Sequence, residues 1–285
     1  MVKNISFISF ILLSVIGLWS CKIKDLRTLE VKENYNKELG LKVLEQMSEA
    51  HSLKNWSNLE TYSLDLNDEF FGLIGKLGNP FPKNKAYFEF QVIPSTFTSQ
   101  LKFKDGKWKE KVWGIQSWKT YSAEKNTPVE LHEKNNKKIE FWLPTYQYFI
   151  EMPLRIFEAD FISFAGTKTL DGKTYDLVFA TWESPEPIKK VDQYILWIDQ
   201  EDHLLKKAQF TVRDQTKWVH ATINYREFTK VEDFLFPTLM EVNSFGTDKT
   251  KILHKMKIDN IKINPVARNK LILFPKLGTK GKIDN

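Results

Sequence analysis

The sequence predicts a mainly β domain with a few helices, built on an antiparallel sheet, and three observations lead there. From Leu59 onward apolar residues recur with a period of two, as on a strand with one buried face. The strand-like runs follow one another with almost no helices between them, whereas parallel pairing needs a crossover after each strand. Hydrophobic residues at 42% and aromatics at 14% are enough to fill one large core, so disorder is expected only near the two ends.

In chain order, a targeting segment comes first. Lys3 gives a short positive end, Ile5 to Trp19 is mostly apolar, and Leu18-Trp19-Ser20-Cys21 closes the run with a small residue before the cysteine. That is the layout of a cleavable secretory signal. The apolar run is shorter than the roughly 20 residues that span a bilayer, and Lys22, Lys24 and Asp25 follow at once. Cys21 is the only cysteine of 285 residues, and Leu18-Trp19-Ser20-Cys21 resembles a bacterial lipobox, although Trp19 is bulkier than usual there. The resemblance implies acyl chains such as palmitate on Cys21, with cleavage before it. An ordinary signal peptide with an incidental cysteine, and an uncleaved anchor, are the alternatives. The boundaries expected are therefore 1–20 for the signal, 21–36 for a charged, aperiodic tether, and 37–285 for the folded domain.

Removal of residues 1–20 would leave 41 basic against 36 acidic residues. Lysines such as Lys102, Lys104, Lys107, Lys109 and Lys111 are spread along the chain in solvent-facing alternation, so no concentrated basic stripe points to nucleic acid. A monomer is expected.

Order begins with a helix carrying Leu39, Val43, Leu44, Met47 and Ala50 on one face. Phe88, Phe90 and Val92 then alternate on a strand, and Leu101, Phe103, Trp108 and Val112 form one face of a hairpin around Asp105-Gly106. Further strands are read at Ile139 to Leu143, Tyr175 to Trp182, Tyr194 to Ile198, Leu204 to Val212, Val219 to Arg226 and Ile252 to Ile263, with a turn at Gln200-Glu201-Asp202. Between them Thr145 to Glu158 reads as an aromatic helix, preceded by Pro144 and cut or kinked by Pro153.

This order of elements resembles the lipoprotein carriers of the LolA/LolB type. The likeness is carried by the helix ending near His51, by Gly172-Lys173-Thr174-Tyr175-Asp176-Leu177, by Tyr194-Ile195-Leu196-Trp197-Ile198-Asp199 with Leu204-Leu205-Lys206-Lys207, by Phe234-Leu235-Phe236-Pro237 and by Ile258 to Asn264. It implies a strongly curved antiparallel half-barrel with an N-terminal helix, a short helical plug, and an apolar cavity that holds a lipid or acyl chain. Tyr146, Phe149, Met152 and Phe157 are the plug candidates; Phe88, Phe90, Trp142, Leu177, Phe179, Tyr194 and Leu196 are the inner-face candidates. A closed core made of the same residues is the competing reading. Phe70-Phe71-Gly72-Leu73-Ile74-Gly75 is the one apolar run nominated to touch a membrane, with a buried strand and glycine bulge as its plainer interpretation. Lys22 after Cys21 favours the outer membrane, with the domain facing the periplasm or the outside.

Catalysis has little support. There is no Gly-x-Ser-x-Gly elbow and no Gly-rich phosphate loop, and His132-Glu133 lacks the second histidine of a zinc-protease helix. No cofactor or metal is expected. Three functions follow: an apolar-ligand-binding lipoprotein, a scaffold for a protein or glycan partner, and a hydrolase with residues distant in sequence.

Overall fold

The computed structural model describes residues 23–244 and 251–279. Its frame is one antiparallel sheet of thirteen strands that does not close into a barrel. The strands are β1 Tyr62–Phe70, β2 Lys85–Ile93, β3 Thr98–Phe103, β4 Val112–Gln116, β5 Lys119–Ala123, β6 Glu130–Leu131, β7 Phe161–Leu170, β8 Lys173–Thr181, β9 Gln193–Asp199, β10 Leu205–Val212, β11 Thr216–Val231, β12 Phe234–Ser244 and β13 Ile252–Ile263. They lie in the order β6-β5-β4-β3-β2-β1-β13-β12-β11-β10-β9-β8-β7, so two meanders join where the first long strand meets the last.

Among the described residues five α-helices accompany the sheet: α1 Leu29–Glu33, α2 Lys37–Ala50, α3 Gly72–Gly78, α4 Lys137–Arg155 and α5 Arg268–Leu271. Asn36 caps α2 by accepting from the Leu39 N–H at 2.9 Å, and the helix buries Val43, Leu44 and Met47 as its spacing predicts. Its approach to the sheet requires Gly40, where a Cβ would stand 2.8 Å from the backbone of Ser163 and Phe164 in β7. No helix among the described residues is long and apolar enough to cross a membrane.

Three local expectations are corrected. Ile139 to Leu143 is the start of α4, not a strand, and neither Pro144 nor Pro153 ends the helix. A short apolar run cannot settle strand against helix. Here Asn136 caps the first turn, and the Thr145 hydroxyl donates to the Phe141 carbonyl at 2.6 Å next to the point where Pro144 lacks an N–H. In the β3–β4 hairpin the ladder closes through Phe103 and Lys111. Leu101 therefore pairs with Trp113, and Trp113 takes the inward place expected of Val112. Lastly, the segment 23–36 is not a free tether. Lys24 donates to the Lys217 carbonyl at 2.8 Å, Leu26 to Gln193 at 2.9 Å, and Val31 is buried against the sheet. Residues 21 and 22 lie outside the described residues.

The sheet thus has two covered faces. Its concave side, with α2 and α4, holds the large core. On the convex side the strap 23–36 covers Ala165, Leu177, Phe179, Ile195 and Trp197, while the tail carries Leu271 and lays Phe274 against Tyr121 at 5.5 Å.

Candidate functional site

From the sequence an apolar ligand is expected on the concave surface, and α4 covers that surface. Pro144 and Pro153 should each weaken a helix interior by about 3 kcal/mol, so α4 depends on the sheet for its stability. Tyr146 packs on Phe88 and Phe90 at 5.5 and 6.2 Å. Trp142 meets Phe70 edge-on at 5.2 Å. Phe149 meets Phe210 at 5.4 Å, and Tyr225 donates to the Phe149 carbonyl at 2.8 Å while touching the Met152 sulfur at 3.5 Å. Tyr194 and Leu196 face the same core from β9.

Three of the nominated residues stand elsewhere. Phe157 lies in the turn after α4 and is 37% exposed. Leu177 and Phe179 are on the convex face under the strap. The register explains this: Leu177 pairs with Trp197 and Phe179 with Ile195, whereas Leu196 opposes Val178 and Tyr194 opposes Ala180. Residues directly across from one another share a face, so a phase error of one residue moves a whole set to the other side.

Among the described residues, the void between α4 and the sheet lined by His51, Leu53, Trp56, Ile150, Tyr225 and Phe228 among others has a volume of about 10 Å³, at most the room of one water. The candidate site is an apolar surface covered by the protein's own helix.

The seam beneath α4 is polar in two places, which the sequence reading missed. Glu151 is fully buried and accepts from Arg155 Nε at 2.8 Å, Tyr62 Oη at 3.0 Å, Gln147 Nε2 at 3.0 Å and the Ser95 N–H at 3.3 Å. Arg155 also donates to the Thr96 carbonyl at 2.7 Å and stacks over Phe97 at 4.1 Å, yet its Nη1 has no partner. Burial outweighs these contacts and raises the Glu151 carboxyl above the usual range. One helical turn apart at each step, Gln147, Glu151 and Arg155 form a polar stripe on an otherwise apolar face, a signal legible in principle. Nearer the N-terminus of α4, Asp68 on β1 accepts from Tyr146 and pairs with His254 of β13. Phe70 stacks on the imidazole at 4.2 Å and Trp142 closes its edge at 5.3 Å. These partners lie far apart in sequence and carried no such signal.

For chemistry the arrangement offers little. His254 and Asp68 are enclosed by the Phe70 and Trp142 rings, and the Tyr146 hydroxyl hydrogen-bonds to Asp68. His132 rests between the Thr120 and Ser122 hydroxyls at 2.8 and 2.9 Å. Asp199 serves its turn, accepting from the Glu201 N–H at 2.9 Å and from Lys173 at 3.2 Å. Among the described residues no three metal-ligating side chains converge.

The short helix α3 and Trp218 are among the apolar groups that face outward. The run Phe70 to Gly75 neither continues as a strand nor bulges: it turns into α3, which presents Leu73, Ile74 and Leu77 at 76, 53 and 79% exposure, while Gly75 allows the helix to rest on the Leu253 carbonyl. A scaffold role would be expected to expose tryptophans, yet Trp56 and Trp113 are buried and Trp108 and Trp118 half-buried, while Trp218 is exposed.

No family model matches the sequence, and no curated protein matches it. Solved structures do. A LolA superfamily protein from Nitrosomonas europaea has 10% identity and a TM-score of 0.51, over 83% of this chain and 98% of its own. A DUF1329 family protein from Desulfovibrio piger has 9% identity and a TM-score of 0.52, over 86% of this chain and 100% of its own. A domain assigned to the outer membrane lipoprotein-sorting proteins of Vibrio parahaemolyticus has 8% identity and a TM-score of 0.52, over 83% and 97%. The fold of this chain is the LolA-like half-barrel.

Proposed function

With a LolA-like frame as the premise, we propose that the chain is a cell-envelope lipoprotein, acylated at Cys21 and held at the outer membrane, that binds an acyl chain or comparable apolar ligand on the concave surface now covered by α4. The observation that carries this reading is the manner in which α4 is held. Alongside its apolar contacts this helix has two internal prolines and a buried ion pair with an unpartnered nitrogen, and buried pairs of this kind are often no more stabilising than apolar replacements. Displacement of α4 would uncover Phe88, Phe90, Tyr194 and Leu196, where each methylene of an acyl chain would gain about 0.8 kcal/mol.

The test is to fasten the plug. In a Phe88→Cys/Tyr146→Cys variant, at positions whose rings are 5.5 Å apart, the reduced protein should bind a fluorescent sixteen-carbon fatty acid and the oxidised protein should not. Equal binding in both states, or none in the wild type, refutes the reading. In that event the alternative stands, a sheet serving as scaffold for a protein or glycan partner.

A further inference from the structure

The strap fixes where the N-terminus leaves the domain, and with it how the domain stands on a bilayer. We infer that the β10–β11 hairpin is a membrane-docking tip, with Trp218 entering the headgroup region of an anionic bilayer and the lysines around it resting on phosphates. The inference rests on acylation of Cys21 for its geometry.

Its first support is reach. Lys24 is bound by its N–H to the Lys217 carbonyl at 2.8 Å, and Arg213 clamps the same junction by donating to the carbonyls of Lys24 and Lys217. Cys21 is three residues upstream, so its sulfur can be no farther than roughly 10 Å of chain from that hydrogen bond. A lipid placed there brings the hairpin to the surface of the membrane it enters.

Its second support is composition. Trp218 is 59% exposed beside exposed Lys217, and tryptophan with lysine is the pairing enriched at membrane interfaces. Arg213 also donates to the Val191 carbonyl at 3.4 Å, which draws exposed Lys189 and Lys190 to the same tip. Asp214 is the exposed acid on the turn. Third, the register places α3 at this end as well: Phe70, the last residue of β1 and two before the helix, lies across from His254, His254 from Val242, and Val242 from Ile223 of β11, whose N-terminal part holds Trp218. The exposed Leu73 and Leu77 of α3 and the exposed Trp218 therefore lie at the same end of the sheet.

The full chain, purified from a bacterial envelope with its mass recorded, is added to vesicles of 3:1 phosphatidylethanolamine and phosphatidylglycerol whose acyl chains are brominated. Bromine should quench part of the tryptophan emission, and Trp218→Phe should abolish that quenched part while the protein still floats with the vesicles. Lys190→Glu with Lys217→Glu should weaken docking by roughly tenfold or more. Quenching that is the same in wild type and Trp218→Phe overturns the inference. An unacylated mass with Trp218 still quenched supports the docking tip and refutes the anchor, so the two readings fail separately.

Discussion

Replacement of Glu151 by leucine should be the most damaging single change to the seam under α4. The side chain is buried and accepts four hydrogen bonds, one from the Arg155 guanidinium. Its loss leaves the Arg155 charge in an apolar interior with the Thr96 carbonyl and the Phe97 ring as its main support. Breaking a buried pair from one side costs about 3 to 5 kcal/mol, and leaving the Tyr62 hydroxyl unsatisfied adds about 1 kcal/mol or more. Glu151→Leu should therefore destabilise by about 4 to 6 kcal/mol, whereas Glu151→Leu with Arg155→Met, which removes both charges, should recover most of that. Arg155→Met alone should be costlier at pH 8 than at pH 5. The remaining carboxyl is already pushed upward by burial, and it can accept a proton in acid and become neutral. Urea unfolding followed by circular dichroism, with the slope held common, measures all three. A Glu151→Leu cost below about 1 kcal/mol, or a double variant no better than the single one, would refute the claim that this pair latches the helix.

Other consequences are as direct. Gly40→Ala should cost about 1 to 3 kcal/mol, read as a lower unfolding midpoint, because its Cβ would meet the β7 backbone at 2.8 Å. Burial holds His51 down to about 4 and pushes Asp192 up to about 6. As pH falls from 6.5 to 4 the unfolded chain gains the proton His51 refuses, which lowers stability. Over about pH 6 to 4 the folded chain gains the proton on Asp192 first, which raises it; each effect is worth up to about 3 kcal/mol. The two nearly cancel in the wild type, so Asp192→Asn should show a steeper acid loss below pH 6 in thermal melts, and an unchanged profile would contradict the assignment. Leu73→Ser, at a site 76% exposed, should change stability by less than about 0.5 kcal/mol.

What the sequence disclosed follows the range of its signals. The first long helix, the limits of β13 and the turn after Asp199 rest on local periodicity and turn chemistry, and they stand as expected. The phase of β8 was missed because Leu177 and Val178 are both apolar and both buried, one under the strap and one on the concave side. With two covered faces, alternation loses its contrast. The helical start at Lys137 was hidden by a five-residue run that suits either geometry, and the Asp68, Tyr146 and His254 cluster by separations of 78 and 186 residues.

The strap has one more effect. An open sheet carries two free edges, each a template for another chain. At one end, β6 is only two residues long and includes exposed Glu130. At the other, the Phe164 N–H of β7 donates to the Asn36 carbonyl at 2.9 Å, and the Ala165 carbonyl accepts from Thr28 at 2.9 Å. The segment 23–36 thus acts as a gatekeeper against polymerisation: this chain stripped of it would offer a bare ladder on β7, and fibrils would be its expected failure.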